Sequence, residues 1–305
     1  MTQTLNLPKK VYFKTGCTPV ALRELREIYH CRRALLVTDP ELYRSGVAAP
    51  VVERLRGQDI RVAELFTLGK RVSLADLRSA QPKLKEFEPD VIVGVGGDNA
   101  MSAAKALLAL YADQELDLAA AAAGTVKIPD CAKAKLVLIA TNFSSGSQNS
   151  PFAILQDDAG QPCVLKSIAL LPEISVTDAD FTSSLTAQQV RTCALKALSH
   201  AVRVYLEPTG SEFTDGLLTD AIALLLQYTG EAAAGHPFAL ERLHNAAALV
   251  GAAYGNVVRT ITPDLPPFPT EEEISVSDND VRCAALAERL GFDGCHALFA
   301  ACKAL

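Results

Sequence analysis

Residues 90–105 read DVIVGVGGDNAMSAAK. Asp90, Val91, Ile92 and Val93 have the pattern of a buried strand, Gly94, Gly96 and Gly97 make a turn, and a helix is expected to begin near Asn99. A strand that runs through glycines into a helix N-terminus is how α/β proteins build phosphate sites. The helix start offers unpaired N–H groups and partial positive charge, and glycine lets an anion approach the backbone closely. The same turn also serves as a tight connection without a ligand. One residue opposes an anion: Asp98 puts a carboxylate where a phosphate would lie. At about 4 Å and an effective dielectric near 20, two unit charges repel by roughly 4 kcal/mol. The stretch therefore has the shape of a nucleotide site and partly the wrong chemistry.

On both sides of it, short apolar runs alternate with amphipathic helices. Upstream, the pattern predicts an edge strand over 11–13, a helix over 20–29, a strand over 34–38 ending at Asp39, a helix over 41–56, a strand over 61–66 and a helix over 73–87 with Ser73 as N-cap. Downstream, the central helix runs to about 111 and another strand spans 135–140. Strands separated by helices imply a parallel sheet. Ligands bind such sheets at the carboxyl ends of the strands. Asp39, Gly96 and Thr141 fall at strand ends and could face one crevice. An acidic residue there can accept hydrogen bonds from ribose hydroxyls and favours NAD over NADP; the dipeptide Asp39-Pro40 read alone favours a helix-starting turn instead. Runs over 152–155 and 163–170 flank Asp157-Asp158-Ala159-Gly160 and read as a β-hairpin. Residues 172–178 close the first domain. From 186 the pattern turns helical, over 186–206, 212–234 and 238–258, and two short helices follow over 281–290 and 295–305. Between them the proline-rich 263–270, with Glu271 to Glu273, reads as a linker or loop. The expected domains are 1–180 and 181–305.

The chain has 305 residues, enough for two domains, and 49% hydrophobic residues, enough for large cores. A net charge of −6 without a basic run argues against nucleic acid. No leader segment or bilayer-length apolar run is evident, so a cytoplasmic location and no membrane partner are expected. The eight cysteines have no CxxC spacing and are expected to be reduced thiols.

The segments PKKVYFKTGCTPVALRELREIY (8–29), RALLVTDPELY (33–43), PDVIVGVGGDNAMSAAK (89–105), TDGLLTDAIALL (214–225) and ERLHNAAALVGAAYGN (241–256) are collinear with a known pattern. Over roughly residues 7–258 the chain resembles the iron-containing alcohol dehydrogenases, and within them the alcohol dehydrogenase portion of bifunctional aldehyde–alcohol dehydrogenases. The resemblance implies an N-terminal Rossmann-like NAD domain and a reduced all-helical C-terminal domain, the dehydroquinate synthase-like architecture, with an active site in a cleft between them. The family's ribose-binding Asp is matched by Asp39. Its GGGS turn is here Gly96, Gly97, Asp98 and Asn99, so two positions match and two depart; the acidic residue on the following helix is Ser102, and the helix lysine is Lys105. Its TTSGTGSE turn is here Thr141, Asn142, Phe143, Ser144, Ser145, Gly146, Ser147 and Gln148, of which Thr141, Gly146 and Ser147 match. A lysine near the cofactor falls at Pro162, with Lys166 a little further along. The resemblance thus implies an NAD site formed by Asp39, Gly96, Gly97, Asn99, Thr141, Asn142 and Ser147, holding NAD weakly.

The family binds a divalent ion through an Asp and a His four residues apart on one helix and two later histidines. Its DALTHA is here Lys196, Ala197, Leu198, Ser199, His200 and Ala201. His200 is the only retained ligand position, and Lys196 points a cation at the would-be ion. The third ligand falls close to Pro263, in a segment without histidine, and the fourth is expected to be lost with a truncated C-terminal part. His236, His244 and His296 are the remaining candidates for a rebuilt site, and His244 lies where the family has no ligand. No metal is expected. Lys196 and His200 form either a different acid–base pair or a solvated lysine beside a leftover histidine. Three readings follow: an inactive homologue that binds a partner or nucleotide; an active NAD-dependent oxidoreductase with altered or absent metal; and an assembly subunit, either a homo-oligomer or paired with a full-length dehydrogenase relative, that buries uncovered apolar helices.

Overall fold

The computed structural model describes residues 4–67, 71–258 and 278–305, with 278–280 by backbone alone. The proline-rich stretch 263–273 lies outside them. Two compact units are present. One, the sheet unit, comprises Leu7–Thr141 and Ser147–Phe181; the other, the helical unit, takes 4–6, Asn142–Gly146 and the described residues of Thr182–Leu305. Where the sequence suggests an unbroken first domain over 1–180, the short segment 142–146 goes with the helices instead.

The sheet unit carries β1 (Lys10–Tyr12), α1 (Thr18–Glu27), β2 (Arg33–Thr38), α2 (Pro40–Arg44), α3 (Ala49–Arg56), β3 (Arg61–Phe66), α4 (Leu74–Phe87), β4 (Val91–Gly96), α5 (Asp98–Ala112), α6 (Leu118–Ala122), β5 (Lys135–Ala140), β6 (Phe152–Gln156), β7 (Pro162–Lys166) and β8 (Ile174–Thr177). Six strands form one parallel sheet in the order β1-β8-β5-β4-β2-β3. The strand VIVGVG is central and wholly buried, as a strand covered on both faces must be. The α/β expectation for this part of the chain holds. Two local expectations do not. The single helix over 41–56 is two helices, because the chain turns through Gly46 at φ +83°, a left-handed conformation that glycine adopts without steric cost. The second hairpin strand ends at Lys166, and Ile168–Leu170 is a 3-10 turn started by Ser167, whose hydroxyl accepts from the Ala169 N–H.

Helix starts follow their caps. Ser73 and Asp76 exchange side-chain and backbone bonds at the head of α4. Asp178, buried after β8, accepts from the Gly16 and Thr18 N–H groups, the Thr18 hydroxyl and the Asp180 N–H, and so fixes the entry to α1.

The helical unit contains α7 (Ala187–Leu206), α8 (Glu212–Ala233), α9 (Pro237–Val257), α10 (Asp278–Arg289) and α11 (Gly294–Lys303). Capping boxes open α7 (Thr186 with Gln189) and α8 (Ser211 with Thr214). Arg282 ties α10 to the others, donating to the Tyr205 carbonyl at 2.7 Å and to Asp215 at 2.8 Å. The turn 142–146 lies directly on α9: a Cβ at Gly251 would sit 1.8 Å from the Gly146 oxygen, and one at Gly146 would sit 1.9 Å from the Ala247 oxygen. Backbone meets backbone there, which is why both positions are glycine. Among the described residues no helix is long and apolar enough to cross a membrane.

Candidate functional site

The register of the sheet brings three expected residues to one edge. Thr38 pairs with Val95 and Gly96 pairs with Ala140, so Asp39, Gly96 and Thr141 follow one another across β2, β4 and β5 at their carboxyl ends. The Thr141 N–H donates to the Gly96 carbonyl at 3.1 Å. Gly96 has φ +153°, and a Cβ there would lie 2.8 Å from the Ala100 Cβ and 3.9 Å from Asp39 Oδ2. Asp39 serves two directions: Oδ1 caps α2 by accepting from Glu41 and Leu42 N–H at 3.1 and 2.8 Å, while Oδ2 is turned toward Gly96. The helix-starting reading of Asp39-Pro40 is therefore realised, with one carboxylate oxygen left facing the glycine turn.

Gly97 is the N-cap of α5 and Asp98 its first residue. Asp98 is exposed, and its Oδ1 accepts from the Ser147 hydroxyl at 2.7 Å. A carboxylate at this end also meets the positive pole of the helix. Asn99 faces away from the turn: its Oδ1 accepts from Val72 N–H at 2.6 Å and anchors the approach to α4. The Ser102 hydroxyl accepts from Ile154 N–H at 3.0 Å. Asn142 belongs to the helical unit, where its Oδ1 accepts from the Ser144 N–H and hydroxyl in a local turn. Pro162 and Lys166 stand at opposite ends of β7, facing Gln156 and Phe152 respectively. Four residues of strand separate them by about 13 Å.

Lys105 is the residue whose setting the sequence understates. It is fully buried on α5, and its ammonium donates to the carbonyls of Ser147, Ser150 and Phe152, each at 2.7 Å, with the Ser150 hydroxyl at 3.4 Å. Burial pulls its pKa down to about 7 against the opposing charge of Asp98. The signal available in sequence is a single lysine inside SAAKALLALY, a helix otherwise buried all round.

In the helical unit, Lys196 is exposed on α7 and His200 lies four residues on, partly buried and stacked on Tyr254 with ring centroids 5.5 Å apart at 18°. Burial, and then the charge of Glu207, push the Tyr254 hydroxyl up to about 12. His244 is buried, its Nε2 2.9 Å from the Thr182 hydroxyl and its ring 5.3 Å from that of Phe143. His236, the N-cap of α9, and His296, on α11, are exposed. Among the described residues no three His, Cys, Asp or Glu side chains come together in a group able to hold a metal ion.

Comparison with known proteins agrees with this architecture. The family model for iron-containing alcohol dehydrogenase matches residues 8–179. The bifunctional aldehyde-alcohol dehydrogenase of Escherichia coli K12 is 32% identical over 262 residues, which are 82% of this chain and 29% of that protein. The aldehyde-alcohol dehydrogenase of Clostridium acetobutylicum is 30% identical over 268 residues, 82% of this chain and 30% of that one. The chain thus spans less than a third of the length of these relatives. Among solved structures, the iron-containing alcohol dehydrogenase of Thermococcus thioreducens superposes with a TM-score of 0.86 at 20% identity, covering 99% of this chain and 84% of that one. Sulfoacetaldehyde reductase from Bifidobacterium kashiwanohense, solved in complex with NAD+, superposes at 0.82 and 17% identity, covering 100% of this chain and 85% of that one. The family model's span and the parallel sheet it lies on lead to one conclusion: the chain belongs to the iron-containing alcohol dehydrogenase family.

Proposed function

We propose that this chain is a member of its family that does not oxidise alcohols through a bound divalent ion, and that it works by binding a nucleotide or a protein partner. The observation that carries this is the pair on α7. A cation, Lys196, stands one helical turn from His200, and the His200 ring lies against Tyr254. Divalent ions are held by several oxygen or nitrogen donors with net negative charge, and an ammonium among them opposes binding. Metal-assisted alcohol oxidation uses the ion to lower the alcohol's pKa and stabilise the alkoxide. Lys196 and His200 on α7 do not suit that role.

For the sheet unit we propose NAD as the ligand, held weakly. Asp39 Oδ2 and the backbone at Gly96, Gly97 and Thr141 are disposed to meet a dinucleotide, and an NAD+-bound neighbour of the same fold supports the choice. Asn99 and Ser147 are engaged with Val72 and Asp98, and the Asp98 charge weakens affinity for a pyrophosphate. Bound NAD would supply a hydride acceptor; the chain's own residues position and partly repel it. The partner we propose is a second copy or a full-length dehydrogenase relative in the cytoplasm, which sedimentation with and without that relative tests.

The deciding experiment is an anaerobic assay of NADH formation from short-chain alcohols, with and without added Fe(II) or Zn(II), alongside NADH fluorescence titration. The reading expects no alcohol-dependent NADH in either condition and weak NADH binding. Metal-dependent turnover would overturn it.

A further inference from the structure

We propose that Tyr43 and Phe66 form a purine platform at the edge of the sheet unit, a half-exposed aromatic pair that stacks on the adenine ring of a nucleotide whose ribose reaches Asp39. The proposal rests on the reading of this unit as a nucleotide site, and it names the side chains that hold the base. The two rings meet edge to face, with centroids 4.9 Å apart and planes at 65°. Tyr43 is 36% exposed and Phe66 41%. Neither ring belongs to the hydrophobic clusters on the two faces of the sheet, although Val62 and Leu65, on the same strand as Phe66, pack against those clusters. An edge-to-face pair leaves flat π-surface open, and a base stacks on such a surface whatever its edge carries.

Position in the sheet decides the ligand. Thr38 pairs with Val95 on one side and with Phe66 on the other. Neighbouring strands lie about 4.8 Å apart. The glycine turn after β4, Asp39 after β2 and Phe66 at the end of β3 therefore form a row at one edge, in that order. Tyr43 follows Asp39 on α2, the helix that the Asp39 carboxylate caps, and its contact with Phe66 ties that helix to the end of β3. Leu42, on the same helix, lies toward the other side: its Cδ1 is 3.5 Å from where a Cβ on Gly96 would sit. A nucleotide is phosphate, ribose and base in sequence. Laid along this row, with the phosphate at the glycine turn and the ribose hydroxyls on Asp39, it delivers its base over β3 and onto the aromatic pair. The Asp98 charge opposes the phosphate end, so ribose and base carry most of the affinity.

The test uses the full chain with 3-fluorotyrosine at its seven tyrosines, followed by 19F NMR during titration with adenosine, ADP-ribose, NADH and nicotinamide mononucleotide. The Tyr43 resonance is assigned by its absence in Tyr43→Phe, which keeps the ring. It should move with adenosine, ADP-ribose and NADH and stay in place with nicotinamide mononucleotide. Tyr43→Ser and Phe66→Ser should each weaken ADP-ribose binding roughly tenfold, and Phe66→Tyr should restore it. If the serine variants do not fold, the titrations of the wild type still decide the matter. ADP-ribose or NADH bound with Tyr43 unmoved would overturn the platform and leave the NAD reading standing. Adenosine that moves Tyr43 while NADH fails to bind would keep the platform and remove the NAD reading. Binding of none of the four would remove both, and a Tyr43 moved as far by nicotinamide mononucleotide as by adenosine would overturn the platform.

Discussion

Replacing Gly251 by alanine would place a methyl carbon 1.8 Å from the Gly146 oxygen, 2.5 Å from its carbonyl carbon and 2.8 Å from its Cα. A carbon–oxygen contact settles at roughly 3.3 Å, so one backbone has to withdraw by about 1.5 Å. No rotamer change can relieve this, because every atom met is main chain. Nor is α9 free to shift, since Ala247, Val250 and Ala253 lie in the core of the helical unit. The cost should reach the upper end of overpacking penalties, about 3 kcal/mol. Gly146→Ala meets the Ala247 oxygen at 1.9 Å and also adopts φ +65°, so a further 1–2 kcal/mol of left-handed strain brings it to about 4–5 kcal/mol. Both variants damage one crossing, so the double variant should lose less than the sum. Gly216→Ala and Gly230→Ala, on α8 with nothing within 4 Å of a new Cβ, should instead gain roughly 0.5–1 kcal/mol from helix propensity. Urea denaturation midpoints of the four single variants measure this directly. If Gly251→Ala unfolds with the wild type, the turn 142–146 does not rest on α9 as described.

Three further outcomes are expected. Asp178→Asn turns an amide donor toward a site filled with N–H and O–H donors, and should cost about 2 kcal/mol in the same denaturation assay. Asp98→Ser removes the carboxylate beside the glycine turn and should tighten NADH binding roughly tenfold in a fluorescence titration, a gain that shrinks as salt is raised. Lys105, with its pKa lowered from 10.5 to about 7, leaves the folded chain with fewer protons than the unfolded chain above neutrality. Its contribution to stability should therefore grow as pH rises above 7 and be lost as pH falls through 7. Wild-type stability minus that of Lys105→Met, measured from pH 6 to 9, should show this slope.

The alternation of strands and helices was readable because the pattern is strong where both faces of a strand are buried. The strand over 91–96 has no polar residue, the strand over 135–140 has none after Lys135, and Ser73 announces the start of α4. What could not be read is where polar groups find their partners. Gly46 inside 41–56 is tolerated in many helices, and only its positive φ shows that it divides this one. Asn99 sits in the glycine turn by sequence, yet its amide spends itself on Val72. Lys105 appears as one cation in an apolar helix, and the three carbonyls that receive it come from residues more than 40 positions later. Gly146 and Gly251 are 105 positions apart, and nothing local in either segment announces that their backbones touch. The helix-capping role of Asp39, by contrast, was legible in the Asp-Pro dipeptide, and only its second oxygen needed coordinates.

The most direct measurement is the metal content of the chain after anaerobic incubation with Fe(II), and separately with Zn(II), followed by desalting and elemental analysis, with His200→Ala treated in parallel. The account predicts far less than one ion per chain in both proteins and no difference between them. One ion retained per wild-type chain, and lost in His200→Ala, would contradict it.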